Sequence, residues 1–178
     1  NDGVTHFGSL GGDAVQLMVL DRSQADDPSF VEPSGDAGVV YFTGGSPDYL
    51  LETLRGSHLL KTILAAVDNG AVLAGSSAGA MVLGSYMRRP SAGGWVEALG
   101  IVPNVAVLPH HERQDPEQTS RSLLAQAPAG LTVLGIDART GCLGRPSRWR
   151  VVGSGKVTVY QGGQWTVYQA GESLPSDV

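Results

Sequence analysis

Short apolar runs alternate with longer amphipathic stretches along this chain, and glycines mark many of the junctions. Residues 1–13 are mixed in character. Residues 14–20 (AVQLMVL) form a nearly continuous apolar run, which predicts a first strand of the buried, parallel kind. Residues 21–37 are polar and hold two prolines, so they read as a loop with one helical turn. Residues 38–42 (GVVYF) predict a second strand, followed at once by Thr43-Gly44-Gly45-Ser46-Pro47. Ser46 suits an N-cap and Pro47 a first helical position, which predicts a short helix over residues 47–55. Ser57 caps the next helix, in which Leu60, Ile63, Leu64 and Val67 recur at helical spacing until Gly70.

Beyond Gly70 the pattern changes to Ala71-Val72-Leu73-Ala74-Gly75-Ser76-Ser77-Ala78-Gly79-Ala80. A short strand over 71–74 runs into a tight turn and then a helix over 78–85. Residues 86–100, with Pro90, Gly93 and Gly94, read as irregular. Residues 102–108 predict a strand ending at Pro109-His110-His111. Asp115 caps a helix that begins with Pro116, has Gln118 in a capping box and runs to about Gln126. Residues 131–136 predict another strand, ending at Asp137. Residues 148–153, 156–160 and 164–168 then alternate with period two between glycine turns, which predicts antiparallel strands at the C-terminal edge. The strand–helix alternation predicts an α/β fold with a mostly parallel sheet, helices on both faces and one domain over residues 1–178.

Composition narrows the classes. The chain has 178 residues, 42% of them hydrophobic and 16% charged, as expected of a globular protein with a sizeable core. Its net charge of −5 and lack of a basic run argue against nucleic acid as a partner. No apolar run approaches the roughly 18 residues that span a membrane. No signal-peptide pattern opens the chain, and it does not start with Met, which points to a processed or trimmed start. The single Cys142 excludes an internal disulfide and a cysteine-rich metal site, and a reducing, cytoplasmic setting is expected. No group of residues has metal-ligand spacing, so neither metal nor other cofactor is expected.

The candidate chemistry centres on Ser77. Gly75 two residues before it and Gly79 two after give the G-x-S-x-G spacing of a nucleophile elbow. A serine lifted onto a sharp strand-to-helix turn is crowded, so its neighbours must be small, as Ser76, Ala78 and Ala80 are. The Ala78 N–H, at the helix start, points where an oxyanion forms. Ligands of parallel α/β sheets sit beyond the C-terminal strand ends. Gly44, Gly45, Ser77, His110 and Asp137 all fall there.

A serine hydroxyl needs a base. His6 and His58 read as solvated or capping residues. His110 and His111 follow a strand end, and only one of two adjacent side chains can face Ser77; His110 is favoured. A carboxylate must then fix the imidazole tautomer. Asp137, Glu97, Glu112 and Asp115 are the candidates. Asp115 is explained as a helix cap, and Asp137, which ends a strand beside the site, is carried forward as the acid, although spacing does not separate it from the others.

Phe42-Thr43-Gly44-Gly45, Gly75-Ser76-Ser77-Ala78-Gly79-Ala80-Met81, Leu108-Pro109-His110 and Leu134-Gly135-Ile136-Asp137, in this order, resemble the dipeptidase E and cyanophycinase family of serine peptidases. The resemblance runs from about His6 to Gly171. It implies a class I glutamine amidotransferase-like fold, a nucleophile at Ser77, a base at His110, and an oxyanion hole from Ala78 with Gly44 or Gly45. It also implies a homodimer, and a strand and helix ahead of residue 1. The chain departs from the pattern in four places. The cyanophycinase branch has Glu where Ala138 stands, and often Gln where Ser46 stands. The aspartyl dipeptidase branch takes its acid after the elbow helix, where residues 86–90 hold no carboxylate, and has an arginine where Pro116 stands. Arg113 and Arg121 are candidates to pair with an acidic substrate, although each also reads as a solvated charge.

The expected function is hydrolysis of a peptide or isopeptide bond in a small peptide through an acyl-enzyme. The alternative is a non-catalytic binding or scaffold protein on the same fold, which Ala138 and the missing acid favour. An amidotransferase-like activity is disfavoured, because that fold family normally carries cysteine at the elbow.

Overall fold

A computed structural model describes residues 2–89 and 93–178. Pro90, in the stretch read as irregular, lies outside the described residues. In chain order the elements are α1 (Asp2–Ser9), α2 (Arg22–Asp26), α3 (Pro28–Gly35), β1 (Val39–Phe42), α4 (Pro47–Leu54), α5 (His58–Asp68), β2 (Val72–Gly75) and α6 (Ala78–Leu83). There follow β3 (Tyr86–Arg88), β4 (Trp95–Glu97), β5 (Val105–Pro109), a 3-10 turn (His111–Arg113), α7 (Pro116–Gln126), β6 (Thr132–Ile136), β7 (Thr140–Arg145), β8 (Arg148–Gly153), β9 (Lys156–Gln161) and β10 (Gln164–Gln169). No helix among the described residues is long and apolar enough to cross a membrane. The chain divides into two compact units, one holding the chain up to Val40 with Glu52–Val72, the other Tyr41–Leu51 with Leu73–Val178.

In the first unit α2 and α3 pack on α5. Asp26 Oδ1 accepts the His58 N–H at 2.8 Å, and the Arg22 guanidinium donates to the Arg55 carbonyl at 2.6 Å. The start signals read from sequence are in place: Ser57 Oγ accepts the Leu60 N–H at 3.0 Å, so α5 begins where its cap dictates. Two expectations fail here. Residues 21–37 fold into two helices, because Asp21 and Asp27 each cap one and Pro28 pre-sets the first turn of α3. Residues 14–20 form no strand: Val15 is 76% exposed and Leu20 54%. Apolar composition alone does not make a strand, and this run has no ladder partner among the described residues.

The second unit is built on a four-stranded sheet of order β10-β9-β6-β5. Only β5 and β6 pair in parallel, with Val105 opposite Thr132 and Pro109 opposite Ile136. β6–β9 and β9–β10 are antiparallel. The expected mostly parallel sheet is therefore a mixed one: the chain returns through β7 and β8 to lay β9 antiparallel to β6, and the glycine turn after β9 lays β10 antiparallel beside it. Alternation along each strand divides the core. Ala106, Val133 and Tyr160 turn to α7, where Leu123 meets them. Val105, Leu134, Val157 and Val159 turn the other way, to Val151, Leu174 and Val178. That second face is covered by the β7–β8 hairpin and the C-terminal tail, where a helix was expected. Residues 86–100, read as irregular, contain the β3–β4 hairpin, with Tyr86 opposite Glu97. Three C-terminal strands form over the stretches read as such, but β8 pairs with the added β7 in a two-stranded sheet, and β9 lies between β6 and the edge strand β10.

Candidate active site

The elbow begins where β2 runs out at Gly75. Ser76 N–H donates to the Phe42 carbonyl at 3.0 Å, and the chain then reverses into α6. Ser77 sits at φ 51°, ψ −115°, a conformation that costs an L-residue of order 1–3 kcal/mol and persists only where the surroundings impose it. The flanking glycines show what imposes it. A Cβ on Gly79 would lie 2.2 Å from the Phe42 carbonyl oxygen, and one on Gly75 would lie 2.5 Å from the Gly79 carbonyl carbon. Neither position admits a side chain. The Ser77 hydroxyl makes no capping bond to its own helix, which leaves it available to another partner.

The glycine-pair loop lies against this serine. A Cβ on Gly44 would sit 3.3 Å from Ser77 Cβ and 3.8 Å from Ser77 Oγ. Gly45 follows with φ +140°, a backbone conformation that other residues rarely adopt. Ala78 is buried, and its N–H is among the first of α6, which have no carbonyl partner within the helix. The amides nominated for an oxyanion hole thus come from two segments that meet at Ser77.

His110 and His111 separate as adjacent residues must. His110 ends β5 in the left-handed conformation, φ 56°, ψ 45°, and its exposed ring places Nε2 3.2 Å from Ser77 Oγ. With the ring proton on Nδ1, the serine O–H donates to Nε2. His111 turns inward and is 3% exposed. Its Nε2 meets the Tyr160 hydroxyl at 2.6 Å, and the two rings pack edge to face at 5.5 Å. Gly135 makes room for it: a Cβ there would lie 2.4 Å from the ring. Burial pushes the His111 imidazole below its ordinary pKa, against the opposing pull of Asp137.

The carboxylates also separate. Asp137 is buried, and its Oδ2 accepts the Lys156 N–H at 3.1 Å. Its Oδ1 is buried with no hydrogen-bond partner among the described residues. It stands at the end of β6, with its charge felt by His111, and no hydrogen bond joins it to His110. Glu97 lies exposed on β4. Asp115 caps α7, accepting the Gln118 N–H at 2.7 Å. Glu112 Oε2 accepts the Ala138 N–H at 3.0 Å. Its own backbone N–H and that of Ala138, then the charges of His110 and Arg113, hold the Glu112 carboxyl below the usual range. Arg121 is paired with Glu117 on the solvent side of α7, and Arg113 is exposed in the 3-10 turn.

A cleft of about 430 Å³ opens beside the end of β5. Arg88, His111, Gln114, Gln118, Thr119 and Ser122 supply its polar wall, and Leu108, Pro109 and Leu123 its apolar one; neither Ser77 nor His110 lines it. The sequence did not single these residues out as a set. They come from β3, β5, the 3-10 turn with its C-cap Gln114, and α7, and only the fold joins them.

Residues 5–143 match the model of peptidase family S51. The chain is 28% identical to a cyanophycinase of Nostoc sp. over 165 residues, covering 86% of this chain and 55% of the relative. It is 33% identical to Peptidase E of Citrobacter koseri over 150 residues, covering 77% of this chain and 61% of the relative. The chain thus spans little more than half the length of these curated relatives. Among solved structures, that of a peptidase from an acI-B1 Actinobacterium superposes with a TM-score of 0.84 at 35% identity, covering 97% of this chain and 73% of that one.

Proposed function

We propose, from the premise that this chain belongs to peptidase family S51, that it is a serine-type peptidase cleaving peptide or isopeptide bonds in small peptides. The observation that carries this is the 3.2 Å approach of His110 Nε2 to the hydroxyl of a serine on a strained elbow. Ser77 Oγ attacks the substrate carbonyl while its proton passes to Nε2. The N–H groups of Ala78 and of Gly44 or Gly45 receive the oxyanion. His110 then gives the proton to the leaving amine, and an ester remains on Ser77. Water, deprotonated by the same imidazole, releases the acid and restores the serine. With this reading go a class I glutamine amidotransferase-like arrangement, a single catalytic domain and a cytoplasmic setting.

A second reading, a binding protein on the same framework, has one observation in its favour: Asp137 is bonded to Lys156 and not to His110. A fluorophosphonate probe separates the two without knowledge of the substrate, because it esterifies an activated serine and releases fluoride. Peptidase chemistry requires labelling at Ser77, found by peptide mass mapping, and turnover of members of a dipeptide panel. Both should fall by about 10³-fold or more in Ser77→Ala. Turnover unchanged in Ser77→Ala would end the peptidase reading. A protein that binds panel members, never turns them over and resists the probe would be the binding protein.

A further inference from the structure

In the tautomer that lets Nε2 take the serine proton, Nδ1 of His110 carries hydrogen and needs an acceptor to fix the ring. Two carboxylates stand near the end of β5, one buried and one exposed. Asp137 is the buried one. One of its oxygens accepts the Lys156 N–H at 3.1 Å, Gly155 packs closely against its side chain, and its charge acts on the inward His111. Glu112 is exposed, as His110 is. It lies two residues farther along, inside the single 3-10 turn that the left-handed His110 initiates. Its side chain folds back across that turn, and Oε2 is pinned by the Ala138 N–H at 3.0 Å.

Two backbone N–H groups, those of Glu112 and Ala138, hold this carboxylate. A carboxylate has about four acceptor sites, so two donors leave it able to take a ring N–H as well. The grip also lowers the entropy lost when an exposed Glu is ordered. His110 and Arg113 both lie within its electrostatic reach, and so does the buried His111. A negative charge held in place by the Ala138 N–H, two residues along the chain from a histidine that becomes a cation during the reaction, favours the developing imidazolium.

We propose that Glu112 is the positioning residue for His110: its carboxylate, anchored on the Ala138 amide, orients the ring and balances its charge as Ser77 is deprotonated. This rests on the serine-peptidase reading. It assigns to Glu112 the place that Asp137 holds in the reading from sequence. Asp137 then belongs to the buried set of His111, Tyr160 and Lys156.

Glu112→Gln is the discriminating variant, because the amide oxygen still accepts the Ala138 N–H while the charge is gone. The rate of fluorophosphonate labelling at Ser77 is compared for wild type, Glu112→Gln, Asp137→Asn and Ser77→Ala, with melting temperature measured for each. Where a dipeptide of the panel is turned over, kcat and KM are added. The expected result for Glu112→Gln is labelling and kcat lower by about tenfold or more, with KM and melting temperature near wild type. Asp137→Asn should lower the melting temperature and leave the labelling rate of the folded protein near wild type. A purely structural Glu112 would leave kcat and labelling within about twofold of wild type; that result overturns the proposal while Ser77→Ala remains inactive. A tenfold loss confined to folded Asp137→Asn overturns it too. Full labelling elsewhere than Ser77, or turnover retained in Ser77→Ala, removes the peptidase reading itself and the proposal with it.

Discussion

The end of β5 carries two imidazoles one residue apart, one aimed out at Ser77 and the other aimed in at Tyr160. His110 is exposed, sits in a left-handed backbone conformation and has a hydroxyl 3.2 Å from Nε2. His111 is 3% exposed, belongs to the 3-10 turn and has a hydroxyl 2.6 Å from its Nε2. The chemical contacts are nearly the same, a ring nitrogen against an O–H. The surroundings make one a candidate base and the other an anchor. On the outward side, the ring is exposed and the serine is free of its helix. On the inward side, Gly135 has given up its side chain to seat the ring, and burial holds the ring neutral. The outward ring is the one placed to exchange a proton with Ser77. The inward ring fixes the backbone from which the outward one projects.

Exchanging the losses tests that division. His110→Ala should lower fluorophosphonate labelling of Ser77 by about 10³-fold or more, equivalent to roughly 4 kcal/mol of barrier, with the urea midpoint unchanged. His111→Ala should do the reverse. It opens a cavity and removes one partner of the Tyr160 hydroxyl, at a cost of roughly 2–4 kcal/mol in unfolding free energy, while the fraction that stays folded still labels. A stable His111→Ala protein that no longer labels would mean that the base has been assigned to the wrong histidine.

Gly135→Ala probes the inward side alone. A methyl 2.4 Å from the His111 ring forces the ring or the β6 backbone to move, and such overpacking costs about 1–3 kcal/mol. The double variant Gly135→Ala, His111→Ala should lose less than the sum of the two singles, because without the ring there is no clash. Additive losses in a denaturant cycle would show that Gly135 serves some purpose other than seating His111.

Local chemistry was legible in the sequence, and tertiary choice was not. The Asp115 cap with Pro116 gives a helix start at Pro116, because both signals act within one turn. The elbow was legible for the same reason: the small residues around Ser77 are demanded by contacts within the turn and with Phe42. The outward choice of His110 follows from adjacent side chains diverging at a strand end. Residues 14–20 misled, because an apolar run reads alike whether or not a partner covers it, and Val15 and Leu20 are exposed. The β3–β4 hairpin was missed because three-residue strands carry too little pattern, and β7 because its Thr140–Arg145 sequence is strand-like only in its pairing with β8. The carboxylates were beyond reach of spacing. Glu112 is held by Ala138, 26 residues on, and Asp137 by Lys156, 19 residues on.

The smallest expected effect is a pH dependence that belongs to the inward histidine. Burial depresses the pKa of His111 in the folded protein, so below the unfolded value of about 6.5 the unfolded chain binds a proton that the folded chain refuses. Stability therefore falls as pH drops below about 6.5, with a slope of at most about 1.4 kcal/mol per pH unit, until the folded pKa is reached. The groups that face the ring set how far this goes: Asp137 and Glu112 favour the proton, and Lys156 opposes it. Glu112 has a depressed folded pKa of its own, and its contribution is also lost on acidification, but only near and below its ordinary range of about 4.3. Between about pH 5 and 6.5 the two are thus separable. His111→Gln keeps a polar partner for Tyr160 and removes the titrating ring. In urea unfolding at pH 7.5 and pH 5.5 it should lose less stability on acidification than wild type does. An equal loss in both would place the titration on another residue and leave His111 an anchor without a protonic signature.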